Sequence, residues 1–250
     1  AARKPVVIYK GGRTEAGRRA AYGHTASMTS SVAIFDALCR QVKAIPVDDV
    51  EEMIDVLIAL RFVHPLPRDT RAALMGAGGG PSVLASDEME KEGLRVPCLS
   101  PAVQAELKQS LPVAGSIFIN PLDTPNLTAP DAISKAMRVI GRVPEIHMLI
   151  YHLGFHPISH WGLGRLSLEN FVKPAIGVMK EAMRETGKPV LLALRPPQGL
   201  DGMTEFLAAQ QGFVEAGFPV FYSMRQLARA MVRVIAWNQS CPHSRGTAKS

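Results

Sequence analysis

The sequence predicts an α/β protein built from doubly wound parallel sheets. Short β-branched and aliphatic runs are bounded by glycine or proline, which reads as strands buried on both faces. Between them lie stretches with helical apolar spacing, several opened by serine or aspartate. The two kinds alternate along nearly all of the 250 residues, and that alternation is the mark of the class.

"PVVIY", bounded by Lys-Pro and Gly-Gly, reads as the first buried strand. The loop bearing His24 follows, and Thr29 or Ser30 can cap a helix with apolar positions Val32, Phe35, Leu38, Cys39 and Val42. After the strand "AIPV", Asp48 and Glu51 form a capping pair for a helix expected to bury Val50, Met53, Ile54, Leu57 and Ile58. "HPLPRD", His64 to Asp69, has the composition of a linker.

Beyond it, "TRAALMG" reads as a strand, "AGGGP" as a glycine turn and "SVLASDEMEKEG" as a helix stopped by Gly93. "SPAVQAELKQSL" is a serine-capped helix, "GSIFINPLD" a strand running into a proline turn, and "DAISKAMRVIG" a helix. The strand "IHMLIYHL" precedes a long loop and a helix with Pro174 at its first turn or at a kink. "KPVLLAL" and "FPVFY" are strands, each followed by a helix, the last capped by Ser223. About five strands with helices on both faces make a sheet of flavodoxin type, which binds ligands at the carboxyl ends of its strands. The expected organisation is 1–65 as the end of one such unit, its sheet truncated, 66–238 as a complete second unit, and 239–250 as a disordered tail.

Composition narrows the function. The chain is 47% hydrophobic and 20% charged, with a formal charge of +6, but its basic residues are scattered and lack aromatic interleaving. Nucleic-acid binding is therefore not expected, whereas an anionic small molecule or an acidic partner surface fits. Cys39, Cys98 and Cys241 show neither disulfide nor zinc spacing, and the expected compartment is the reducing cytoplasm. No apolar run approaches the ~20 residues of a membrane span. "AARKPVVIYK" opens in mid-layer, as the C-terminal part of a longer architecture does.

Three places could carry chemistry. Gly78, Gly79 and Gly80, with Pro81 and Ser82, lie between a strand and a helix, so their backbone can approach an anion at the helix start. They match neither dinucleotide nor P-loop fingerprints, and a plain tight turn needs glycine equally. His24 has the small neighbours Gly23, Thr25, Ala26 and Ser27, which suits a group that meets a substrate, although a lone histidine is commonly structural or merely exposed. His152, His156 and His160 recur every fourth residue, but Gly154 and Pro157 break the helix that would align them on a metal, so surface-loop histidines are expected and no metal site. There is no GxSxG nucleophile, and Cys98 reads as a packed small hydrophobe.

In order along the chain, "KPVVIYKGGRTEAGRRAAYGHTASM", "VDDVEEMIDVLIAL", "RAALMGAGGGPSVLASDEMEKEGL" and "INPLDT" together resemble the NDP-forming acyl-CoA synthetases, relatives of succinyl-CoA synthetase. The resemblance extends from about Lys4 to about Trp237. It implies that His24 is the phosphorylated histidine, taking a phosphoryl group from an acyl phosphate and passing it to ADP on an ATP-grasp domain. It also implies that Gly78, Gly79, Gly80 and Ser82 help hold that group. The implied complex uses CoA, ATP/ADP, Mg2+, phosphate and a small carboxylic acid. Its CoA-binding Rossmann domain and ATP-grasp segment have no counterpart here, so this chain alone is expected to bind neither CoA nor nucleotide. Ala26 stands where the family has glycine, which stiffens the loop. The alternatives are a catalytically incomplete remnant, a regulatory module, or a phosphate-responsive module unrelated to ligases.

Overall fold

The computed structural model describes residues 4–25, 31–125, 127–154 and 168–241, without the side chains of His24, Thr25 and Leu168. Strands β1 (Val7–Tyr9) and β2 (Ile45–Val47) pair in parallel, Val7 opposite Ile45, and are accompanied by α1 (Glu15–Thr25), α2 (Val32–Val42) and α3 (Val50–Phe62). There follow β3 (Ala72–Gly76), α4 (Gly79–Glu92), α5 (Pro101–Ser110), β4 (Leu122–Asp123), α6 (Pro130–Gly141) and β5 (Met148–Gly154). A π-helical turn, Leu168–Val172, leads into α7 (Lys173–Thr186), then β6 (Val190–Arg195), α8 (Met203–Glu215), β7 (Val220–Phe221) and α9 (Met224–Ser240).

The larger sheet has five parallel strands in the order β4-β3-β5-β6-β7, the doubly wound flavodoxin-type arrangement. Successive residues of its strands face opposite layers. Met75, Tyr151 and Leu192 pack with Leu107, Ile133, Met179 and Phe213 of α5 to α8. Leu74, Ile150 and Leu191 pack on the other side with Met89, Leu227 and Met231 of α4 and α9. Burying a side chain such as Leu74 contributes about 2 kcal/mol. Ile45, Val47, Val56 and Ala59 from the first segment join this second layer, so α3 lies against α9 in a core shared with the larger sheet.

Several local expectations change. β1 is not fully buried: Val7 and Ile8 are half-buried, and Tyr9 at its end is exposed. Of the apolar positions expected to be buried on α2, only Cys39 is fully so, and Leu38 and Val42 are exposed. The helix is preceded by Ser31 as its N-cap residue, while Thr29 and Ser30 lie outside the described residues. On α3 the buried face is rotated from the expected one, with only Met53 and Ile58 of the expected residues half-buried against the core. Val50, Ile54 and Leu57 are exposed, and Glu52, Asp55, Val56 and Ala59 are buried. Arg233 of α9 makes this possible by pairing with Glu52 at 3.1 Å and Asp48 at 3.0 Å, so a charged face can be taken out of water. The cap is shifted by one residue: the Asp49 side chain accepts from the Glu52 N–H, and the Glu52 side chain accepts from the Asp48 N–H.

Within 115–123 the strand falls after the proline, not before it. The Asn120 side chain accepts from the Leu74 N–H at 2.9 Å and donates to the Ala72 carbonyl at 3.1 Å, replacing a neighbouring backbone along β3. Cys98 is exposed, and the packed residue is Leu99 beside it. Gln239 and Ser240 belong to α9 and Cys241 is buried, so the ordered chain reaches past the start of the expected tail, whose residues 242–250 lie outside the described residues.

Candidate functional site at the switch point of the larger sheet

From β3 the chain moves to β4 on one side and then crosses to β5 on the other, so the strand order reverses between β3 and β5. In such sheets the crevice outside the carboxyl ends of those two strands receives ligands. The residues facing each other there are Gly76 and His152, paired in register.

The glycine run follows at once. Gly78 has φ 109°, a left-handed conformation that glycine tolerates without strain, and acts as the N-cap position of α4. Gly79 and Gly80 already belong to the helix, which therefore starts earlier than the expected turn. Ser82 closes the first helical turn by donating its N–H to the Gly78 carbonyl at 3.0 Å. The Gly79 and Gly80 N–H groups have no partner among the described residues, and Pro81 has no N–H. Two free amides at the positive end of a 14-residue helix are chemically suited to an anion.

One anionic group already reaches the turn. Asp123, at the end of β4 and almost wholly buried, accepts the Gly78 N–H at 2.7 Å. A Cβ on Gly79 would stand 3.3 Å from its other oxygen, tighter than ordinary contact, so a side chain there would press on the Asp123 carboxyl. Burial raises the Asp123 carboxyl above its ordinary range and outweighs the hydrogen bond from Gly78, so this group gives up its charge more readily than a free aspartate.

His152 was singled out in the sequence but expected in a surface loop, and its part in this site was missed. It lies in β5, not in a surface loop, and is only 8% exposed. Its Nε2 is 3.0 Å from Oγ of the fully buried Ser82. A Cβ on Gly76 would come closer than 3.0 Å to three ring atoms, so the imidazole occupies space that only glycine leaves open. Burial, and then the positive charge of Arg195, push its pKa down to about 4, which makes it a neutral ring at pH 7. The alternation of Met148, Ile150 and His152 along one strand face was the signal for it. His156 and His160 lie outside the described residues, and among the described ones no three His, Cys, Asp or Glu side chains gather to hold a metal. No described helix is long and apolar enough to cross a membrane.

The structure thus brings Gly78, Gly79, Gly80 and Ser82 together. His24 is in the last turn of α1, not in a loop ahead of a helix, with Gly23 and Thr25 in the same turn. Helix formers such as Ala16, Ala20 and Ala21 carry α1 that far. The His24 side chain, Ala26 and Ser27 lie outside the described residues. A second cleft of about 590 Å³ beside α4, at the ends of β6 and β7, is lined by both signs of charge, including Lys91, Arg195, Arg225, Asp87 and Glu88.

Residues 1–60 match the family of the succinyl-CoA ligase like flavodoxin domain. The alpha subunit of acetate–CoA ligase [ADP-forming] II from Pyrococcus furiosus is 32% identical over 148 residues, covering 59% of this chain and 32% of that protein. The 4-hydroxybutyrate–CoA ligase [ADP-forming] of Nitrosopumilus maritimus is 32% identical over 121 residues, covering 48% of this chain and 17% of that protein. This chain therefore spans about a third or less of the length of these relatives. In fold it is similar to the dinucleotide forming acetyl-coenzyme A synthetase 1 of Ca. Korarchaeum cryptofilum solved with phosphate and ADP. The TM-score is 0.73 at 24% identity, over 96% of this chain and 48% of that one.

Proposed function

From a chain related in sequence to the ADP-forming acyl-CoA ligases, we propose one part of an NDP-forming acyl-CoA synthetase, with His24 as phosphoryl carrier and the start of α4 as a cradle for the phosphoryl group. The observation that carries this reading is the pair of Gly79 and Gly80 amides, without a partner among the described residues, at the switch point of a flavodoxin-type sheet.

In the forward step an imidazole nitrogen of His24 attacks the phosphorus of an acyl phosphate. The P–N bond forms as the P–O bond to the carboxylate breaks, and the small carboxylic acid departs as its anion. In the second step a terminal oxygen of ADP attacks the same phosphorus and the P–N bond breaks, restoring the neutral ring. Such transfers are driven by positioning and by neutralising charge on the phosphoryl oxygens, which is what two amides at a helix N-terminus supply. CoA and nucleotide are assigned to a Rossmann domain and an ATP-grasp domain beyond these residues. Mg2+ has no fitting group of ligands among the described residues, so no step is routed through it.

A second reading, a binding module without turnover, is favoured by one observation. The Asp123 carboxylate occupies the Gly78 amide and opposes a second anion there.

The deciding experiment mixes the chain with its ATP-grasp partner and γ-labelled ATP, and reads the product by mass spectrometry under alkaline handling. An acid-labile phosphoryl group that disappears in His24→Ala supports the carrier. A folded chain that takes no label, while a full-length relative labels in parallel, selects the binding module.

A further inference from the structure

We propose that His152 is a positioning residue that fixes the first turn of α4 through Ser82, and so sets the Gly79 and Gly80 amides in place at the crevice. The inference rests on reading that turn as a phosphate cradle. His152 and Ser82 belong to different layers, the central sheet and the helix above it, and their hydrogen bond of 3.0 Å joins them at the switch point itself. Ser82 lies one turn into the helix and its N–H returns to the Gly78 carbonyl, so a constraint on Ser82 is transmitted to the whole glycine segment. That segment needs one. Three consecutive glycines have the largest backbone freedom, and the N–H groups of a helix's first turn have no intrahelical partner to restrain them.

Two further features fit a built pairing. Gly76 leaves the space the ring fills, and a Cβ there would clash with Nε2, Cδ2 and Cε1 together. The neutral state of the ring leaves it one N–H and one bare nitrogen, so Nε2 and the Ser82 hydroxyl make one complementary bond whichever of them donates. Asp123 holds the other flank, so the turn is fixed from β4 at Gly78 and from β5 at Ser82.

The test uses the full chain labelled with 15N, following the Gly79 and Gly80 amide signals and titrating inorganic phosphate. In the unaltered chain both signals should move saturably with phosphate. Ser82→Ala and His152→Ala should each shift or broaden these two signals before any phosphate is added, and weaken phosphate binding about tenfold, the scale of one lost hydrogen bond. The double variant should be no worse than either single one, because one bond is removed in each case. His152→Gln, which keeps a polar group near the Nε2 position, should recover most of the affinity, a rescue that loss of packing alone does not give. Ser82→Ala removes a single oxygen and keeps the helix, so it remains informative if His152→Ala fails to fold. Unchanged Gly79 and Gly80 signals and unchanged affinity in Ser82→Ala would overturn the positioning role. Failure of phosphate to move these amides in the unaltered chain would instead overturn the cradle on which the proposal rests.

Discussion

Gly76→Ala gives the sharpest test of the switch-point packing. Gly76 does not have the positive φ that alanine resists, so the effect of the substitution is steric. The added methyl would lie under 3.0 Å from three atoms of the His152 ring, against about 3.5–4.0 Å for relaxed contact. The ring has to retreat by on the order of 1 Å, and overpacking of this kind costs about 1–3 kcal/mol. Displacing the ring also breaks the bond to Ser82 and leaves a fully buried hydroxyl unpaired, which adds about 1–3 kcal/mol. The two together give an expected loss of about 2–6 kcal/mol. In a His152→Ala background the ring is gone and the same methyl enters vacated space, so Gly76→Ala should there be close to neutral. The double-mutant cycle should return a coupling as large as that loss, about 2–6 kcal/mol, read from urea unfolding curves of the four proteins at pH 7. Equal costs of Gly76→Ala in both backgrounds would refute the claim that the glycine exists to admit the imidazole.

The buried acid on α3 gives a pH signature. Burial first, then the negative charges of Asp49 and Glu52, raise the Asp55 carboxyl from 3.8 to about 6, while Arg229 opposes them. A raised carboxyl favours the protonated folded state, so its stabilising share is complete below about pH 3.8 and is lost as pH rises through about 6. Asp55→Asn should therefore be more stable than the unaltered chain by on the order of 2 kcal/mol at pH 7, with the gap closing towards pH 4 in unfolding midpoints. At the glycine turn, Gly79→Val sets a branched side chain against Asp123, where a bare Cβ is already at 3.3 Å. It should slow phosphoryl transfer in the reconstituted complex at least about tenfold while keeping the chain folded by circular dichroism, and an unchanged rate would reduce the segment to a plain turn. His24→Ala should abolish the acid-labile label while the chain stays folded by circular dichroism, and a label that persists would refute the carrier role.

The alternation of strands and helices was legible in the sequence because buried parallel strands and capped helices are local signals. "TRAALMG", "IHMLIYHL" and "KPVLLAL" became β3, β5 and β6, and Ser100 and Ser223 cap α5 and α9 as their positions suggest. The glycine run between β3 and α4 was legible for the same reason. Which face of a helix is buried was not always legible. α3 has apolar residues on both sides, and the choice was made by Arg233 of α9, some 180 residues away in sequence, through its pairing with Glu52. Periodicity along one helix holds no information about such a partner.

By itself, the sequence determined the class, the order of elements, the glycine-rich helix start and the likeness to acyl-CoA ligases, since each of these depends on residues close together in the chain or on their order. The tertiary structure alone decided the site. Gly76, Ser82, Asp123 and His152 are separated by up to 76 residues, and they meet because the strand order reverses between β3 and β5. A histidine that follows four apolar strand residues looks like the edge of a loop until a glycine in the next strand and a serine on the helix above enclose it. The enclosure makes it neutral and fixes its hydrogen bond, and both properties come from desolvation and contact, which exist only once the layers are packed.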